Sequence, residues 1–81
     1  MTNADGSAGP DRSLEYLIRI RGVLDPSWSA RLGGLHIEVQ YSAEGHPITV
    51  LSGPLEDQAS LNGVLAALYG LGFSLLSVTA I

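Results

Sequence analysis

Apolar and polar residues alternate strictly in "LEYLIRIRGVL". Tyr16, Ile18 and Ile20 fall on one face and Leu17, Arg19 and Arg21 on the other, the two-residue period of a half-buried strand. Gly22 releases that strand. Asp25-Pro26 then signals a helix start, with Asp25 as the cap and Pro26 at the first helical position. The helix "PSWSARL" is short and stops at Gly33-Gly34. "LHIEVQY" alternates again, setting Leu35, Ile37, Val39 and Tyr41 against His36, Glu38 and Gln40. "AEGHP" reads as a turn, "ITVLS" as a third strand, and "GPLEDQ" ends that strand and opens a second helix capped by Asp57. Within this helix Leu61, Val64, Leu65 and Leu68 recur at helical spacing as a core-facing stripe. Gly72 closes the helix, and "FSLLSVTAI" reads as the last strand.

The element order is therefore β-α-β-β-α-β. Right-handed crossovers convert it into a four-stranded antiparallel sheet, order 4-1-3-2, with both helices on one face. The expectation is an α+β, ferredoxin-like sandwich whose other sheet face has no helix over it. The first stretch, "MTNADGSAGPDRS", has almost no apolar residue to repay ordering. Residues 1–12 are read as a disordered tail and 13–81 as one domain. A domain of this size buries only about 60% of its unfolded surface. With no cysteine to staple it, association is a natural source of further stability.

Charge narrows the partners. The chain has eight acidic residues against four arginines and no lysine, a net charge of -4 and a pI near 4.7. No basic stripe is available for phosphate, so nucleic acid is not an expected partner. The absence of cysteine removes thiol, zinc-finger and redox chemistry and fits a cytoplasmic, reducing compartment. From Gln58 to Ile81 no charged residue occurs. "GVLAALYGLGFSLLSVTAI" is long enough to cross a bilayer. The Gly70-Leu71-Gly72 break, the missing basic flank and the strand character of its second half favour a buried helix followed by a buried strand instead.

Candidate chemistry is sparse. His36, Glu38 and His46 are the one group resembling metal ligands: two share a strand face and the third lies in the next turn. They lack a fourth ligand and a recognisable spacing, and read as exposed strand and turn residues. Glu56 and Asp57 sit at a helix N-terminus, where dipole and capping account for them. No serine occupies a nucleophile elbow. The face opposite the expected core carries Arg19, Arg21, His36 and Glu38 rather than the aromatics of an RNA-binding sheet. No cofactor and no enzymatic activity are expected.

Two resemblances enter here. "IRIRGVLDPSW", "GGLHI", "LSGPLEDQASLNGVL" and "LGFSLLSV" together resemble a family of small uncharacterised bacterial proteins. That resemblance implies no chemistry. Where the family usually has His in the first turn this chain has Val23, and where it usually has charges late in the second helix and after the last strand this chain has "ALYG" and "TAI". The stretch "RGVLDPSWSARL" also resembles the loop with which ACT-type regulatory domains bind amino acids. It implies a small-molecule site at Asp25, Ser27 and Trp28. The competing reading makes Trp28 the anchor of a helix too short to hold itself, with burial of the indole worth about 3 kcal/mol.

The outer side of the second helix is the informative feature. A solvated helix face normally carries Lys, Arg or Glu, whereas this one has Gly63, Ala66, Ala67, Tyr69 and Gly70. Gly63, Ala67 and Gly70 form a smooth stripe that another backbone could approach closely. Glycine inside a helix costs about 1 kcal/mol relative to alanine, and packing against a second copy would offset that cost. The expected function is a self-associating assembly module; the alternative is a small-molecule sensor of ACT type. Deleting residues 1–12 is expected to leave the melting temperature and the assembly state unchanged. A loss of more than about 1 kcal/mol in denaturant titration would show that the tail packs on the domain.

Overall fold

The computed structural model describes residues 14–81, and the tail expected over 1–12 lies outside them. The elements are β1 (Leu14–Arg21), a 3-10 helix η1 (Pro26–Leu32), β2 (His36–Tyr41), β3 (Pro47–Leu55), an α-helix α1 (Gln58–Gly70) and β4 (Ser74–Ala80). The four strands form one antiparallel sheet in the order β2-β3-β1-β4, which read from the β4 edge is 4-1-3-2. The architecture is a small α+β fold with two helices.

The alternation in β1 translates directly into burial. Tyr16, Ile18 and Ile20 are buried, and Leu51 of β3 sits opposite Ile18 and Ile37, joining three strands in one core row. Leu24, Leu32 and Leu35 from the η1 region and Leu61, Val64 and Leu68 from α1 complete the same cluster. Both helices therefore pack on one face of the sheet. η1 lies against β2 and α1, whereas α1 lies against β3 and β4.

Local chemistry explains the ends of the elements. Asp25 caps η1, its Oδ1 accepting from the Ser27 amide at 2.9 Å. The Trp28 amide donates to Asp25 O at 3.0 Å, the three-residue step of a 3-10 turn. Gly33 ends η1 at φ +72°, and a Cβ there would stand 2.7 Å from Leu55 Cδ2. Both the left-handed backbone and the close approach demand glycine. At the other helix, Asp57 Oδ1 accepts from the Ser60 amide at 2.8 Å. That hydrogen bond, with further ones from the Ser60 hydroxyl and the Ala59 amide, holds the Asp57 carboxyl below its ordinary range. The far end of α1 closes with two bonds, Gly72 amide to Tyr69 O at 2.9 Å and Phe73 amide to Leu68 O at 3.1 Å. This is the paired pattern of a Schellman motif, with Gly72 just beyond the cap.

The structure departs from the sequence pattern in three places. β3 does not stop at Ser52 but runs on through "GPL" to Leu55, paired with β1. Pro54 is tolerated because β2 ends opposite Ser52, so no neighbouring strand asks for its missing N–H on that side. Tyr41 shares the parity of the core residues yet is 67% exposed, because it ends an edge strand. Leu35 is buried just ahead of β2 rather than within it.

Thr49 is the buried polar side chain of the described residues, with no accessible surface. Its hydroxyl donates to Gly22 O at 2.6 Å and accepts from the Leu24 amide at 3.0 Å. The Gly22 amide in turn donates to Pro47 O at 3.0 Å. These bonds tie the chain leaving β1 to the start of β3. Thr49→Val keeps the shape but leaves a buried donor and a buried acceptor unmet. A loss of about 2–3 kcal/mol is expected in urea titration, and an unchanged midpoint would show that the turn satisfies itself.

Candidate functional site

Three groups of residues stand out for function, and the fold keeps them apart. The first is the turn after β1. Asp25 is exposed, but its carboxylate is engaged with the Ser27 amide. The Ser29 hydroxyl donates to Leu35 O at 2.6 Å, fastening the far side of η1 to the start of β2. Trp28 is half-buried and packs on the core cluster, with the Arg31 guanidinium 5.2 Å above its ring. A cation over an indole at this distance is an attractive contact. Trp28 thus packs on the core and carries Arg31 over its ring, and the bonds of the Asp25 carboxylate, the Ser27 amide and the Ser29 hydroxyl hold the loop together.

The second group is His36, Glu38 and His46. His36 and Glu38 lie on the outer face of β2, Nε2 to Oε1 3.5 Å apart, both well exposed. His46 is in the β2–β3 turn, where its amide donates to Ser42 Oγ at 3.1 Å. Among the described residues no three His, Cys, Asp or Glu side chains converge in a way that could hold a metal ion. The spacing does not bring the two histidines to one point, because His46 is carried past the end of the strand by the turn.

The third group is the outer side of α1. Gly63, Ala66, Tyr69 and Gly70 are exposed, Tyr69 to 60%. Added Cβ atoms at Gly63 and Gly70 would meet nothing within 4 Å. Ala67 differs from the reading of the sequence. It is half-buried and packs against the core cluster. A helical step of 100° per residue sets Ala67 toward the flank, so the outward line runs through Gly63, Ala66 and Gly70. The four-residue step from Gly63 to Ala67 turns it about 40° off that line.

The open face of the sheet also contains a buried residue. Val50 is only 9% exposed although it lies outside the core cluster. Its cross-strand neighbours are Arg19 on β1 and Glu38 on β2. Side chains directly opposite one another on an antiparallel sheet stand close enough to cover a central valine. The alternation of β1 contained that signal, since Leu17, Arg19 and Arg21 share this face.

A family described as "Domain of unknown function (DUF8691)" matches residues 15–79. The chain belongs to this family. The match runs from β1 into β4, leaving out only Leu14 and Ala80 of the elements. The family is uncharacterised, so membership carries no activity with it. Comparison with curated proteins and with solved structures finds no match. No helix among the described residues is long and apolar enough to cross a membrane, since α1 ends at Gly70 and the apolar run continues as β4.

Trp28→Ala is expected to lower stability by about 2–3 kcal/mol, the cost of truncating a large side chain that is partly rather than fully buried. Denaturant titration followed by Tyr fluorescence checks it. Near-native stability would remove the anchoring role and leave the indole free to serve a ligand.

Proposed function

We propose that the domain is a ferredoxin-like, non-enzymatic module that associates with itself, in a cytoplasmic setting and without a cofactor. The observation that carries this reading is the character of residues 58–81. All twelve charged side chains lie between Asp5 and Asp57, and the remaining third of the chain has none. Tyr69, Leu71, Leu76 and Ile81 are nonetheless exposed there, between 40% and 75%. Gly63 and Gly70 add to this. Among the described residues nothing needs glycine at either place, while Gly63, inside the helix, costs it about 1 kcal/mol relative to alanine. An uncharged surface with apolar side chains and close-approach positions is what a second subunit would cover.

The rival reading is a small-molecule sensor using Asp25, Ser27 and Trp28. It has less support, because the Asp25 carboxylate is engaged by the Ser27 amide within the loop and Trp28 packs on the core cluster. A sensor would gain thermal stability from a metabolite library at fixed protein concentration, whereas a self-associating module would melt at a temperature that rises with its own concentration.

Ala66→Glu is the probe of the helix face, since its side chain is exposed and the substitution leaves the core alone. The variant is expected to sediment as a smaller species with an unchanged far-UV spectrum, because a buried unpaired carboxylate costs several kcal/mol per interface. Arg19→Glu, on the open sheet face, is expected to leave the mass unchanged. The opposite result would move the contact to the open sheet face, and a wild type that stays monomeric at millimolar concentration would overturn self-association altogether.

A further inference from the structure

We infer that two copies of the chain join through β4, strand to strand and antiparallel about a twofold axis, so that the sheets of both copies become one. This rests on the self-association proposed above and names the surface that performs it. Among the described residues the sheet has two edges, β2 and β4. An edge strand presents a row of N–H and C=O groups without a ladder partner, and proteins usually guard it with charge, proline or a cover. β2 is guarded: His36 and Glu38 are exposed on it. Twofold pairing through β2 would bring Glu38 near its own copy, and like charges opposite each other repel. β4, "SLLSVTA", has neither charge nor proline. Self-pairing there opposes only neutral side chains.

The register states which groups are available. The Ile81 amide donates to Glu15 O at 2.8 Å. Inward and outward hydrogen-bonding groups alternate along an antiparallel strand. The amides and carbonyls of Ala80 and Val78 therefore face away from β1, toward the open edge. A bulge follows, with Arg19 opposite Ser77 and Ile20 opposite Leu75. It limits the regular outward ladder to the stretch from Ser77 to Ile81.

A seven-residue strand is about 23 Å long, and its edge is too thin to bury the roughly 800 Å² per partner of a standard interface. Side chains beside the strand have to contribute. Leu76 on β4, Ile81 after it and Leu14 on the adjoining end of β1 are exposed by 40%, 75% and 48%. α1 is the helix over β4, so joining the β4 edges also brings the two α1 helices alongside each other. The same chain thus supplies both ladder and flank.

Amide exchange followed by NMR across a range of concentrations reads the contact directly. The Val78 and Ala80 amides are expected to exchange freely in dilute protein and to become protected as the dimer forms. Ala80→Pro removes one outward N–H without touching the β1 ladder, and Leu76→Lys sets like charges near each other across the axis. Each is expected to raise the dimer dissociation constant about tenfold or more, with the far-UV spectrum unchanged. Ser77→Pro is the folding control, because its N–H faces β1 and its loss should weaken the monomer itself. A dimer in which Val78 and Ala80 exchange freely, and which survives both Ala80→Pro and Leu76→Lys, overturns the edge pairing and leaves self-association standing. A wild type monomeric at every concentration overturns both.

Discussion

The hydroxyl of Thr49 is the hinge on which the rest of the fold turns. A chain leaving β1 must travel from the middle of the sheet to cover β2. The Gly22 amide still reaches Pro47 O on β3, but the Gly22 carbonyl and the Leu24 amide lie beyond any regular ladder. Thr49 accepts the Leu24 amide and donates to Gly22 O, at 3.0 and 2.6 Å, from a fully buried position on β3. A buried backbone group without a partner costs about as much as a lost hydrogen bond, so these two bonds decide where the turn can sit. Once Gly22 and Leu24 are held, Leu24 enters the core and Asp25 stands ready to cap η1. η1 is only seven residues long, too short to be stable alone. It persists because its ends are fastened, by Asp25 and Thr49 at one side and by Ser29 and Gly33 at the other, with Trp28 laid on the core between them.

Much of this was legible in the residues themselves. The two-residue alternation of β1 and β2, the Asp25-Pro26 start, the Asp57 cap and the stripe of Leu61, Val64 and Leu68 each state a local preference that the tertiary structure leaves in place. The parts that could not be read depend on neighbours distant in the chain. Pro54 looks like a strand breaker until β2 is seen to end opposite Ser52. Thr49 looks like any strand threonine until the turn 25 residues earlier is folded against it. Ala67 looks outward-facing until the core cluster is seen to reach its flank of α1. Local pattern carries the element; register and packing carry the exceptions.

The site is a different matter. The side chains of Asp25 and Ser29, in a stretch that resembles a ligand loop, hold the backbone around them. A side chain committed to a structural bond inside its own loop has less to offer a ligand, and a short helix with no long-range backbone ladder needs those bonds more than a long helix does. This is why the same residue types at the same place in the chain order can mean recognition in one domain and scaffolding in another. Spacing alone does not separate the two meanings. The partners of each polar atom do.

The distribution of charge follows a related logic. The open sheet face keeps Arg19, Arg21, His36 and Glu38 over a valine that is nearly covered, which makes that face wettable without a layer of helix. The charges of residues 14–81 lie on β1, η1, β2 and the turns. β4 and the outer side of α1 are left with alanine, glycine, serine, tyrosine and leucine. In a chain with net charge -4, two copies repel wherever their acidic residues approach, and the approach that brings the uncharged third together is the one this repulsion opposes least. Segregating charge onto one part of a small domain therefore does two things at once: it solvates the exposed sheet and selects the side on which a second copy can come close.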